Sequence, residues 1–463
     1  MQRGYGNTVA TAWRGLTRLL GATNRQIVAN ASALMGTMVV TSGFGALYWL
    51  IGARLFAPDA VGLAGASIAA MSLLGTAGML GLGTLLIGEL PRQPGNEAAL
   101  IATALAVAGL VGGVLGAIFA AVAPLLAPNL RALSGNPATI ALFALGVSLT
   151  SITMVLDQAL IGLLRGSLQL WRNAGFAIAK LGVLAGVALW LGGSSWLTIY
   201  ITWVIGYLIS LIGLGGYAVW HGLRLGGRTL RPQRALLRRF GRAALWHHGL
   251  NMALQLPGLT LPLLVTSILS ATDNAYFYAS SIVATPFFYG TLALVTALYA
   301  VGSRSPVALA QRMRFTLRLS LAAAVAGNTV LMLGAELLLG LFGGDYAARA
   351  GWTLRILGLC VFPIIVKDHF VTLSRIHQRL AGAAILAAVG SVAELTLAAL
   401  GAYLGGLPGL VVGWLIALAL EALVMAPTVY RAARGGASEI EEASPPTTLG
   451  VGASGPRPGH EAA

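Results

Sequence analysis

Apolar residues run along this chain in long blocks, and charged residues collect in the short breaks between them. Each block is close to the ~20 residues that a helix needs to cross the hydrocarbon core of a bilayer. Backbone N–H and C=O groups find no water there and must pair within the segment, so the blocks are helices. Spans are predicted near 27–51, 60–88, 98–123, 138–164, 174–193, 196–220, 243–269, 276–301, 318–342, 352–374, 380–401 and 405–430. Only Gly192, Gly193, Ser194 and Ser195 separate the fifth span from the sixth. The longest break, HGLRLGGRTLRPQRALLRRFGR at 221–242, divides the spans six and six. The predicted fold is therefore all-α: a polytopic membrane protein of about 12 transmembrane helices in two six-helix bundles.

The resulting organisation is a segment 1–26, a bundle 27–220, a basic linker 221–242, a bundle 243–430 and a tail 431–463. Within the linker, Pro232 to Arg242 has the pattern of a short surface helix with Leu236, Leu237 and Phe240 toward lipid. The tail is rich in Gly, Pro, Ser and Ala and is expected to be disordered. Segment 1–26 lacks the apolar core and cleavage site of a secretory signal.

Composition agrees with a membrane protein: 57% of the 463 residues are hydrophobic and 9% are charged. Mean hydropathy is +0.82. The formal charge of +15 comes almost wholly from arginine, since Lys180 and Lys367 are the only lysines. With segment 1–26 placed in the cytoplasm, about 23 arginines fall on its side and only Arg54, Arg131, Arg349 and Arg355 on the other. That asymmetry is the positive-inside rule, and it predicts a cell-membrane protein with both termini cytoplasmic. The charge thus reports topology and contact with membrane lipids; a nucleic-acid partner is not expected. Cys360, the single cysteine, lies in an apolar run and reads as a buried hydrophobe. No metal site, cofactor or catalytic residue is predicted, and no nucleotide-binding loop or hydrolase motif is present.

The halves echo one another. RLFAPDAVGLAGASIAAM and ILSATDNAYFYASSIVATP each place an acid, Asp59 or Asp273, in a turn before a helix of small residues. VLDQALIGLLR and VKDHFVTLSR each place an acid deep in the fourth span of their half, with an arginine seven or eight residues later. Two bundles of the same orientation place a site between them. Pro257 and Pro262 in the seventh span mark it as a bending element.

Charges inside spans are costly in hydrocarbon and mark function or pairing. Asp157 and Lys180 are expected at similar depth, as an ion pair that fixes helix register or serves a proton relay. Lys367 and Asp368 are adjacent on the tenth span, and Glu394 and Glu421 are candidate partners for Lys367. Glu394 is the candidate for proton coupling, against the alternative of a hydrogen-bonded core residue. His247 and His248 open the seventh span, and His248, Asn251 and Gln255 share a helix face that fits a wet cavity between the halves. Interfacial anchoring is the alternative for the histidines.

The segment NASALMGTMVVTSGFGALYWLIGARLFAPDAVGLAGASIAAMSLLGTAGMLGLGTLLIGELPR resembles the opening of the polysaccharide-biosynthesis flippases. These belong to the multidrug/oligosaccharidyl-lipid/polysaccharide exporter superfamily. Ala-Arg at the end of the first span and the turn Leu55 to Gly62 carry the resemblance, with Val61 where the family has an aromatic. LFGGDYAARAGWTLRILGL resembles the turn and helix before the family's tenth span. The resemblance implies two bundles in a V that open alternately to each side. It implies a polyprenyl-diphosphate-linked oligosaccharide as substrate and glycan-assembly machinery as partner. Arg25, Arg54, His247 and His248 would then line a cationic cavity, and Asn30 and Ser32 would add hydrogen bonds. A cation-coupled drug or metabolite antiporter of the same fold stands as the alternative. A membrane glycan polymerase or ligase is disfavoured by the short outer loops.

Overall fold

The computed structural model describes residues 42–92, 95–191, 195–221, 242–301 and 306–435. The linker helix up to residue 241, the tail beyond residue 435, and Arg25, Asn30 and Ser32 therefore lie outside the described residues. The chain is an all-α polytopic membrane protein. Its first half comprises α1 (42–55), α2 (Pro58–Gly78), α3 (Leu82–Glu89), α4 (Glu97–Leu126), α5 (Pro137–Gly162), α6 (Gly166–Leu191) and α7 (Trp196–Trp220). The second comprises α8 (Arg242–Ile268), α9 (Ala271–Val301), α10 (Pro306–Gly340), α11 (Gly344–Leu359), α12 (Val361–Ile376) and α13 (Leu380–Arg434). Nine helices among the described residues are long and apolar enough to cross a membrane.

Interruptions in these helices have identifiable causes. Leu80 (φ 49°) and Gly81 (φ 72°) turn the second span between α2 and α3. Pro363 supplies no N–H to the carbonyl of Leu359, where α11 gives way to α12. The 55-residue α13 folds back at Gly405 (φ −146°) and Gly406 (φ 59°, ψ −144°), so it supplies two spans. Its arms approach backbone to backbone. A Cβ on Gly401 would strike the carbonyl of Gly409, and one on Gly413 the carbonyl of Leu397. Two helices begin well before the apolar runs do. α6 starts at Gly166 and α10 at Pro306, because arginines 172, 312, 314 and 318 continue the helix.

A shared turn fixes the register between the halves. After α5, Leu164 (φ 58°) is left-handed and Arg165 N donates to Leu160 O at 2.8 Å. After α12, Gln378 (φ 56°) is left-handed and Arg379 N donates to Ser374 O at 2.8 Å. The displacement is 214 residues (378 less 164), and it recurs from Gly166 to Leu380, from Trp220 to Arg434 and from Asp59 to Asp273. The second sequence echo is corrected by three or four residues: Arg165 answers to Arg379, and Asp157 to Val371 instead of Asp368. Apolar helices carry little register information of their own, whereas a left-handed cap occurs at one residue. In this register Lys180 of the first half answers to Glu394 of the second.

Candidate functional site

The halves meet along α2, which packs on α8 and α9. Small residues permit the approach: a Cβ on Gly62 would strike the backbone of Ala271, and Gly65 faces the ring of Tyr278. Trp49 of α1 adds a ring contact to Tyr278 at 4.5 Å. Among the described residues, three side chains bond across the interface. Asn274 Nδ2 donates to Gly62 O at 2.7 Å, and Asn129 Nδ2 to Thr266 O at 2.8 Å. Arg54 donates from Nε to Leu341 O at 2.8 Å and from Nη2 to Gly340 O at 3.1 Å. Its guanidinium thus closes on carbonyls at the C-terminus of α10, where the helix dipole favours a cation. All of these bonds lie at the arginine-poor end of the helices. Arg54 was expected to line a cavity; it is a bridge between the halves.

At the arginine-rich end α8 presents the polar stripe. Gln255 is exposed, His248 and Asn251 are half-buried, and a Cβ on Gly258 would meet open space. The same helix is closed off at residues 261–263, all buried. Asn251 Oδ1 accepts from Arg375 Nη2 of α12 at 3.0 Å, which brings one arginine to the stripe. His247 lies in the first turns of α8. The open face thus runs from His248 to about mid-helix and stops where the halves are bonded together.

Each half also holds a group of charges among its own helices. In the second half Lys367 Nζ lies 2.5 Å from Glu394 Oε1 and 2.8 Å from Glu421 Oε2. Trp414 Nε1 donates to Glu394 Oε2 at 2.6 Å. Glu394 is 2% exposed. One ammonium between two carboxylates leaves a single uncompensated negative charge when both acids are ionised. Binding one proton there makes the cluster neutral. Asp368, on the neighbouring face of α12, is half-buried. His369 binds Ile365 O at 2.7 Å and Thr316 Oγ1 at 3.1 Å.

In the first half the expected Asp157–Lys180 pair does not form. Arg172 donates from Nε to Asp157 Oδ1 at 2.8 Å and from Nη2 to Oδ2 at 2.7 Å, a two-pronged pair. The reason is depth. α6 begins at Gly166, which puts Arg172 six residues in and Lys180 fourteen, or about 9 and 21 Å along the axis. Counting the span from 174 hid that difference. Lys180 is 6% exposed, and its ammonium lies 3.8 Å from the ring centre of Trp203 and 4.9 Å from those of Tyr48 and Phe176. Among the described residues no carboxylate pairs with it. The aromatic cage was missed by sequence reasoning, since Tyr48, Phe176 and Trp203 come from three spans.

No protein-family model matches the chain, and no curated protein matches it in sequence. Solved structures do. A multidrug resistance MATE family transporter of the MOP superfamily, inward-facing, matches with a TM-score of 0.65 at 14% identity, over 90% of this chain and 100% of that one. The outward-facing conformation of such a transporter matches with a TM-score of 0.56 at 15% identity, over 91% and 97%. A MATE structure in the bent conformation gives 0.57 at 14% identity, over 92% and 98%. The chain has the MATE transporter fold. Coverage of nine-tenths means that the likeness includes both halves.

Proposed function

We propose that this chain is a transporter that works by alternating access between its halves, and that it turns a polyprenyl-diphosphate-linked oligosaccharide from the inner to the outer leaflet of the cell membrane. The observation that carries the transport reading is the asymmetry of the interface. Arg54, Asn129 and Asn274 bond the halves at the arginine-poor end, while the polar stripe of α8 lies open at the other. A substrate entering from the arginine-rich side would meet His248, Asn251, Gln255 and, through Asn251, Arg375. With that side cytoplasmic, breaking the bonds of these three side chains would release it outward.

The choice of substrate rests on the resemblance of the first two spans together with the chemistry of the open face. An antiporter of cationic drugs would present a free carboxylate to its cavity. Glu394 and Glu421 are buried and already hold Lys367, and Asp368 is half-buried on α12 two turns from Arg375, so the α8 stripe itself is neutral with one arginine nearby. That suits an anionic diphosphate head with neutral sugars better than a cation. The matching solved structures, which include multidrug resistance transporters, favour the antiporter as the second reading. The Lys367–Glu394–Glu421 cluster supports coupling to protons under either. Liposomes carrying purified protein decide between them. A fluorescent polyprenyl-diphosphate sugar should become accessible in the opposite leaflet, and His248→Ala with Asn251→Ala should slow that by about tenfold or more, the loss of one or two polar contacts. Uptake of a cationic dye driven by a proton gradient, with no movement of the lipid-linked sugar, would replace the flippase with the antiporter.

A further inference from the structure

A slot of about 460 Å³ lies between α6 and α7 near the arginine-rich end, on the first half and apart from the interface between the halves. Glycines make the space: a Cβ on Gly175 or Gly213 would meet nothing within 4 Å. Leu168 and Leu214 give the walls an apolar character, and Ser167 and Ser210 add hydroxyls. Arg172 also lines it, with its side chain 3% exposed. Asp157 occupies Nε and Nη2 of that guanidinium, leaving Nη1 with only a 3.5 Å contact to Ser210 Oγ. At the rim stands Trp171, 74% exposed, and Trp220 follows at the end of α7, 87% exposed. Exposed tryptophans at a helix end mark the level of lipid headgroups.

Charge adds to this. Arg165 sits in the turn just before α6, which adds a second arginine at this end of the helix. A buried cation with one donor edge held only by a long bond, apolar walls and an aromatic rim together describe a receptor for an amphiphile with an anionic head. We propose that the slot binds one anionic phospholipid from the leaflet at the arginine-rich end, its phosphate on Arg172 Nη1 and Ser210 and an acyl chain between Leu168 and Leu214. The site is independent of the transported substrate. A lipid held there bridges the two helices of the first half that correspond in register to the arms of α13, which pack through glycine instead.

Native mass spectrometry of the delipidated full chain tests the site, with phosphatidylglycerol and phosphatidylcholine of identical acyl chains as probes. Wild type should retain one phosphatidylglycerol at least about tenfold more tightly than phosphatidylcholine, the size of one charge-assisted hydrogen bond. Gly175→Leu with Gly213→Leu fills the slot and should release the lipid; Gly213→Leu alone serves if the double variant fails to fold. Asp157→Asn with Arg172→Gln removes the pair without stranding either charge and should keep lipid binding while erasing the preference. Equal binding of the two lipids by wild type, or unchanged retention in a folded filled variant, would overturn the proposal.

Discussion

The two lysines show how differently a buried charge can be accommodated. Lys367 neutralises carboxylates from both arms of α13, whereas Lys180 rests among aromatic rings. Removing Lys367 strands two acids in a low-dielectric interior, an effect typically worth about 3–5 kcal/mol. Removing Lys180 strands nothing, and a methionine in its place keeps the apolar contact with Trp203. Lys367→Met should therefore lower the thermal midpoint sharply in detergent, and adding Glu394→Gln and Glu421→Gln should recover most of the loss. Lys180→Met should leave the midpoint unchanged or higher. Equal losses for the two lysines would show that the distinction is wrong. The cost of buried charge made Glu394, Glu421 and Lys367 legible as one group before any coordinates. The partner of Asp157 was not legible, because it depended on where α6 begins, and hydropathy locates an apolar core better than a helix end.

Among the elements, glycine separates close approach from open space, and composition cannot tell the two apart. Gly401 and Gly413 lie where the arms of α13 touch; Gly182 and Gly186 of α6 have nothing within reach of a Cβ. Gly401→Leu or Gly413→Leu should force the hairpin open and cost about 1–3 kcal/mol or more, as overpacking does. Gly186→Ala should be neutral or stabilise α6 by about 0.5–1 kcal/mol, the helix-propensity difference. Thermal unfolding of the purified variants checks both, and a tolerated Gly401→Leu would argue against the backbone contact. The spans themselves were readable as apolar runs. Their pairing was not, because side chains on a uniformly apolar helix do not announce a face. The left-handed cap at Leu164 and Gln378 supplied what the runs lacked, and with it the finding that Lys180 and Glu394 hold equivalent places with opposite charge.

At the scale of the molecule, the account turns on two halves that bond at one end and part at the other. The sequence indicated two halves and a polar stripe on the seventh span. It did not indicate which end is closed, because the bonds that close it join residues such as Arg54 and Leu341, some 287 positions apart. Arg54 looked like a ligand for an anion and instead holds two carbonyls of the opposite half. The most direct test is to prevent that contact from opening. Arg54→Cys and Leu341→Cys on a Cys360→Ala background, bridged by a thiol-specific cross-linker about as long as an arginine side chain, tie the arginine-poor ends together. In liposomes, the bridged protein should move lipid-linked sugar no faster than protein-free membranes, and the same variant left unbridged should transport. Undiminished transport by the fully bridged protein would contradict alternating access between these halves.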